Sequence, residues 1–549
     1  MNMQKYDAIV VGGGATGTFA VDELTQQGLN VLLLEAGDGV KSQDFAAKPS
    51  KKKKPDINIL ERAVATLKGQ PIQSKAAFFS GQFSHLYVKD TQDAYTTPKG
   101  EPYLWIRGKQ LGGRLHTFGR VLLRWTDDDF KIHSQTGVGV DWPFSYTDIE
   151  PYYAEVEKKV GLIGTVDDVK QLPDGEYSAK AEFTDAESVF KESLESVSGT
   201  RHVVPWRYML PQKDKIAHPF QAALETKRLT VKVNAMVKKV LTNDEGTRAI
   251  GVEVIDRKTN QITTYHAKAV VLTASPIESI RLLLNSATNI HPTGLGNHSG
   301  NLGKYFMDQL PCIAMGSFPK VKGVGLDKLT PIDDFYGHSG GVFIPKFDGD
   351  DPLLGDYNFQ GTVGRNSVDA GLPSRLSFFG FGRMQPSEDN RVTLSNKTDK
   401  WGMPLPHIRC VMSAQDRALL SRQNDAIVNS IEIAGGKLEF IGSPLGLAEK
   451  GAGAYPNEDA VSRLLFRKLF KQVMVMGAAI HETGGARMGN DANSSVLNAY
   501  NQVWGIPNLC VTDASCFVSS GIAGTTLTGM ALTVRACRQL ASLIKNGEL

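Results

Sequence analysis

The stretch YDAIVVGGGATGTFAVDELTQQGLNVLLLEAG, residues 6 to 37, constrains the fold more than any other part of the chain. Ala8 to Val11 is a short apolar run of the kind that fills a buried parallel strand. Gly12, Gly14 and Gly17 follow in GxGxxG spacing. Phe19 to Gln27 reads as a helix ended by Gly28, and Val31 to Leu34 as a second buried strand closed by Glu35. The glycine spacing alone is a weak signal, but here strand, turn, helix, strand and acid fall in register within one βαβ unit. That pattern predicts a dinucleotide site. Gly12 permits the tight turn, Gly14 lets the backbone approach a pyrophosphate, and Gly17 lets the helix pack close to the strand. The helix N-terminus presents amides and a positive dipole end to the phosphates. Glu35 stands where a carboxylate accepts hydrogen bonds from an unphosphorylated ribose, which selects FAD or NAD over NADP.

Beyond this unit the chain is long enough, at 549 residues, for roughly two to four structural units. A net charge of +3 gives no bulk attraction for nucleic acid. The run Lys51 to Lys54 is local and reads as a solvated loop. Five cysteines, none in CxxC spacing, argue against a disulfide framework and for a reducing compartment. MNMQKYDAIVVGGG runs directly into a strand without a charged leader or cleavage site. No apolar stretch reaches the roughly 20 residues of a membrane span. The expectation is a cytoplasmic protein with no membrane span. The histidines show no HxH or HxxxH spacing, so no metal is expected.

Residues 38 to 100 are polar and lysine-rich, and read as an extended insertion or lid. Residues 103 to 130 are rich in glycine, arginine and aromatics, with Gly112-Gly113 marking a close backbone approach. A helix is expected from Ser145 or Thr147, each a candidate N-cap. Residues 229 to 275 are β-rich, with NDEG as a turn, and a helix follows from Pro276. Residues 311 to 470 alternate short β-like runs with turns and predict a largely antiparallel sheet, interrupted by the amphipathic helix DRALLSRQNDAIVNSIEI. NLCVTDAS then reads as strand and LTGMALTVRACRQLASLI as helix. In HETGGARMGND, residues 481 to 491, a lone His481 sits in a glycine-rich turn. SSGIAGTTLTGMAL, residues 519 to 532, contains no ionisable side chain.

Taken together, GGGATG…LLLEAG, RGKQLGGRLHTFGR, NAMVKKVL, VVLTASPIESIRLLLNS, GNHSGNLGKYFMDQ, HETGGARMG and NLCVTDASCF…TTLTGMALTVRA resemble the glucose-methanol-choline (GMC) family of FAD-dependent oxidoreductases across nearly the whole chain. Within it, the chain is most similar to glucoside 3-dehydrogenase and pyranose oxidase-type members. The resemblance implies an α/β fold: an FAD-binding Rossmann-like domain with a discontinuous substrate domain built on a largely antiparallel sheet. Its implied segments are 1–45, 226–310 and 471–549 for FAD binding, 46–100 as an insertion or lid, 101–225 covering FAD, and 311–470 binding substrate. It places Gly12, Gly14, Gly17 and Glu35 on the ADP half of FAD, Val237 at adenine, and Gly112 and Gly113 along the flavin. Asp513 and Ala514 meet the ribityl and pyrophosphate region, with Thr526 near the isoalloxazine.

The resemblance puts His481 on the catalytic histidine. That implies oxidation of a CH–OH group of a sugar or glycoside, with the imidazole as base and flavin N5 as hydride acceptor. Two departures qualify this. The family's second polar partner, asparagine or histidine, is Gly524 here, and the proline after it is Thr525. Thr525, Thr526, Ser520 or a water in the glycine's space are the alternatives for that role, as is a changed flavin chemistry (tailoring oxidase, lyase or isomerase). Gly485 also stands where threonine is common. His116 lies one position before the histidine that binds flavin covalently in pyranose oxidases, so it is expected to line the flavin site without a covalent bond. A small partner subunit or a separate electron acceptor fits the same relatives.

Overall fold

The computed structural model describes residues 6–45, 59–76, 79–211, 218–323, 339–365, 371–450 and 460–549. The lysine run at 51 to 54 lies outside them. The apolar runs at Tyr6–Val11 and Val31–Leu34 form strands paired in parallel, Val10 opposite Leu33. Strand Ile262–Leu272 pairs parallel with Tyr6–Val11 on the other side, and Ile506–Val511 pairs parallel with it in turn. Leu229–Lys232 flanks Val31–Leu34. Among the described residues the sheet has eight strands, with Ala235–Thr242 and Ala249–Asp256 attached as an antiparallel extension and Gln502–Val503 at one edge. Its central parallel strands, Tyr6–Val11 and Val31–Leu34, are buried on both faces, which explains why they read as unbroken apolar runs. Ala8, Val10, Val31, Leu33, Ala269 and Val271 pack on one face with Ala20, Val21 and Leu24 of helix Ala15–Gln26 and Leu540, Ala541 and Ile544 of helix Thr525–Lys545. Arg538 bonds Glu23 at 2.8 Å, tying the last helix to the first.

One expected boundary differs. The first helix starts at Ala15, directly on the glycine turn, rather than at Phe19. The run LTVKVNAMVKKVL is two strands. Asn234 adopts φ +57 and donates from Nδ2 to Asp38 at 3.0 Å, so the chain turns there from the parallel sheet into the antiparallel extension. Helix Tyr146–Val160 begins after Ser145, whose side chain forms a reciprocal cap with Asp148.

The second sheet has seven strands, all antiparallel: Gly446–Glu449, Lys437–Ser443, Leu310–Lys322, Pro373–Gly382, Tyr357–Val363, Val342–Ile344 and Val204–Pro205. Helix Ala414–Ile433 covers one face. A Cβ on Gly380 or Gly382 would meet its Gln423 side chain at 2.7 and 2.4 Å, so these glycines admit the helix. Helix Ala460–Val473 covers the opposite face, with the Phe470 ring so close over Gly442 that a Cβ there would come within 1.8 Å. No helix among the described residues is long and apolar enough to cross a membrane.

Candidate active site

A cavity of about 1190 Å³ runs from the glycine turn to the second sheet. At its first end, Gly12 sits at φ +103, with Thr273 and Ala274 so near that any Cβ would collide. A Cβ on Gly17 would lie 1.9 Å from the Gly12 carbonyl, so only glycine lets the helix approach the strand. Gly14 is the opposite case: its Cβ position meets nothing within 4 Å and opens on the cavity. Gly14, Ala15, Thr16, Glu35, Val237 and Asp513 all line this end. The Glu35 carboxylate accepts the Gly13 and Gly37 amides at 2.9 and 2.7 Å, one per oxygen. Each oxygen keeps a second lone pair. Asp513 accepts hydrogen bonds from the Ser279 hydroxyl and from the Ser515 amide at 3.0 Å. An open glycine cradle at a helix N-terminus beside a fixed carboxylate fits the adenosine and pyrophosphate of FAD.

The other end is built around residues 307 to 309, which lead into strand Leu310–Lys322. The Asp308 carboxylate accepts the amides of Gly477 and His481, both at 2.9 Å. Between them Ile480 adopts φ +61, a costly conformation for a β-branched residue. The Asp308 clamp and the Arg114 hydrogen bond to the Ile480 carbonyl at 3.2 Å hold it there. The backbone carrying His481 is thus fixed against strain.

Gln309 fixes the imidazole itself. Its Nε2 donates to the carbonyls of Ser520, Gly521 and Ala523 at 3.0, 3.1 and 2.9 Å. Only an NH2 group can face three carbonyls, so Oε1 faces His481, 2.6 Å from Nδ1. Nδ1 therefore carries the ring proton, and Nε2 keeps a lone pair. The Phe381 ring packs against the imidazole at 4.9 Å between centroids. Burial, then the Arg114 cation, push the His481 pKa down to about 3. Burial, then the neighbouring Glu482, push Asp308 up to about 7. Arg114 lies 2.7 Å from Glu482.

Gly524 faces Nε2. A Cβ there would lie 4.0 Å from Nε2 and 3.8 Å from the Val121 carbonyl, its nearest neighbour. Its φ of −56 suits any residue. The glycine therefore supplies room and meets no backbone demand. Thr525 and Thr526 open helix Thr525–Lys545 and line the cavity with Gly524, Ala514 and His481.

Not every expected residue reaches the wall. Gly113 lines the cavity, whereas Gly112, at φ +90, packs under the His116 ring. His116 departs from the expectation that it lines the flavin site. Its Nε2 bonds the Leu111 carbonyl at 2.7 Å and its ring packs on Phe45, while neighbouring Thr117 lines the cavity. Gly485 is held at φ +97, with Ile280 where a Cβ would go, so a threonine there would clash. Asp308, Gln309, Arg114 and Phe381 had no role in the sequence reading. FMDQ offered the only signal for the first two, because a carboxylate and an amide side by side next to a buried strand need partners.

Comparison with known proteins identifies the family of the chain. The GMC oxidoreductase family model matches residues 6–310, and its C-terminal model matches residues 386–533. The large subunit of fructose dehydrogenase from Gluconobacter japonicus is 24% identical, with 98% of each chain covered. A C-glycoside 3-oxidase from Microbacterium trichothecenolyticum is 28% identical over 56% of this chain and 53% of its own. Among solved structures, pyridoxine 4-oxidase from Mesorbium loti superposes with a TM-score of 0.60 at 17% identity, covering 97% of this chain and 98% of its own. With family models matching from the glycine turn through His481 to the last helix, the chain belongs to the GMC oxidoreductases and is an FAD-dependent oxidoreductase.

Proposed function

We propose that the protein oxidises a CH–OH group of a sugar or glycoside, with His481 as the base. The observation that carries this reading is the Gln309 contact, which leaves Nε2 of His481 as a proton acceptor facing the cavity. Relatives named fructose dehydrogenase and C-glycoside 3-oxidase support the substrate class. FAD, when bound, supplies the hydride acceptor. Gly12, Gly14, Gly17, Glu35, Gly113, Val237, Asp513, Ala514 and Thr526 would hold it. His481 receives the hydroxyl proton at Nε2 while Nδ1–H stays bonded to Gln309, which orients the ring and steadies the cation that forms. Burial, then the Arg114 cation, hold the imidazole neutral near pH 7, so Nε2 is open to accept a proton. The space at Gly524 admits a substrate hydroxyl or a water next to Nε2.

We assign residues 1–45, 226–310 and 471–549 to the cofactor half, supported by the strands they lend to one sheet, and 311–470 to the substrate half. The free, buried state of all five cysteines supports a cytoplasmic protein. The relative named as a large subunit supports a small partner subunit or a separate electron acceptor. The test is anaerobic: FAD-loaded protein is mixed with a panel of sugars, glycosides and simple alcohols. Loss of the flavin's visible absorbance, absent in His481→Ala, is expected. A flavin that dithionite reduces but no alcohol does would refute the reading.

A further inference from the structure

We propose that the alcohol oxidised here carries an aromatic body, an aryl aglycone if it is a glycoside, and that this body lies in the part of the cavity lined by the antiparallel sheet and helix Ala460–Val473. The proposal rests on the alcohol-oxidising reading of the same site. Strand Pro373–Gly382 sends Phe381, Phe379, Ser377 and Arg375 to the cavity, every second residue on one face. Across the register, Phe379 stands beside Ile313, and Met315 stands between Ser377 and Phe440. Helix Ala460–Val473 roofs this floor with Phe466, Leu469, Phe470 and Val473, spaced as one helical stripe. The rings of Phe440 and Phe466 are 5.4 Å apart, and those of Phe466 and Phe470 5.8 Å.

The chamber begins at the catalytic base, since Phe381 packs on His481. From Phe381 to Arg375 the strand advances about 20 Å at ~3.3 Å per residue, longer than one sugar ring. Ile313, Met315 and Met474 line this cavity and remain half-buried, so apolar surface is open inside it. Against Phe381, Phe379 and Ile313 a polyol loses water without gaining partners, whereas a planar apolar group gains burial and ring contacts; Ser377 and Arg375 line the cavity farther from the base along the strand. Gln360, on the neighbouring strand and paired with Phe379, is a polar group on the same sheet face that lines the cavity and can receive hydroxyls.

The test compares phenyl β-glucoside with methyl β-glucoside on the FAD-loaded enzyme, by anaerobic flavin bleaching and by titration calorimetry. Phenol, which has no carbinol carbon, is titrated separately. The phenyl glucoside is expected to show a KM at least about tenfold lower than the methyl glucoside, and phenol to bind and compete with it. Phe379→Ala should narrow the KM ratio and weaken phenol binding. Phe379→Leu, which keeps the volume without the ring, is the second variant and should narrow the ratio less. Equal KM values for two glucosides that both bleach the flavin would overturn the aromatic proposal and leave alcohol oxidation standing. If neither glucoside bleaches it, the wider panel of alcohols decides the alcohol reading and phenol decides the chamber: binding lost in Phe379→Ala supports it, and no binding overturns it.

Discussion

The glycines at the two ends of the cavity do opposite work. At the cofactor end, Gly17 is compulsory, because a single methyl group would lie 1.9 Å from the Gly12 carbonyl. At the catalytic end, Gly524 has an ordinary φ of −56 and no atom closer than 3.8 Å to its missing Cβ. One glycine brings backbones together and the other keeps a space open. The same letter in the sequence therefore reports a fold constraint in one place and open space beside His481 in the other.

The sharpest way to break this contrast is Gly17→Ala. It should abolish the folded, FAD-containing protein, because neither the strand carbonyl nor the helix backbone can yield. Purification of a yellow protein with unchanged thermal stability would show that the turn is more tolerant than its geometry. Next in size is His481→Ala. It should lower kcat by about 10²- to 10⁴-fold while FAD is retained, separating the catalytic end from the cofactor end. The wild-type rate should show no loss from protonation of His481 between about pH 5 and 8, since the folded pKa is about 3. The unfolded imidazole takes its proton near 6.5. Its depressed folded pKa therefore contributes stability above that value that is lost as pH falls toward 3. Thermal melts of the variant should lose less stability across that window.

Asp308→Asn should cost about 1 to 3 kcal/mol, because an amide cannot accept both clamped N–H groups. The Asp308 pKa is raised, so the stability it contributes is present below the unfolded carboxyl's value and lost as pH rises through about 7. The variant's melting temperature should no longer decline through that range for this reason. The smallest effect belongs to Gly524→Asn. Asparagine is a favoured N-cap and this position precedes helix Thr525–Lys545, so stability should hold or rise by a few tenths of a kcal/mol with full flavin content. A marked loss of stability would mean that Gly524 is as constrained as Gly17, and the contrast would collapse.

Local patterns made the cofactor end legible. Glycines, helix and acid lie within 30 consecutive residues, Gly12 to Lys41, and each acts on near neighbours in the chain. His481 and Gly524 were visible for the same reason, as points in short motifs. Gln309 was not, because its role comes from three carbonyls more than 200 residues away. The orientation of His116 was equally hidden: a one-residue shift in a glycine-rich turn sends its ring to Phe45 while Thr117 meets the cavity.

The sequence by itself determined the βαβ unit, its demand for glycine and the antiparallel character of residues 311 to 470, since periodicity and turn chemistry act over a few residues. Only the tertiary structure decided which nitrogen of His481 bears the proton, that Gly524 is free of backbone strain, and that phenylalanines from two strands and a helix wall one chamber. Those properties depend on distances between segments far apart in the chain, which are set by how the two sheets pack and by nothing written in any one of them.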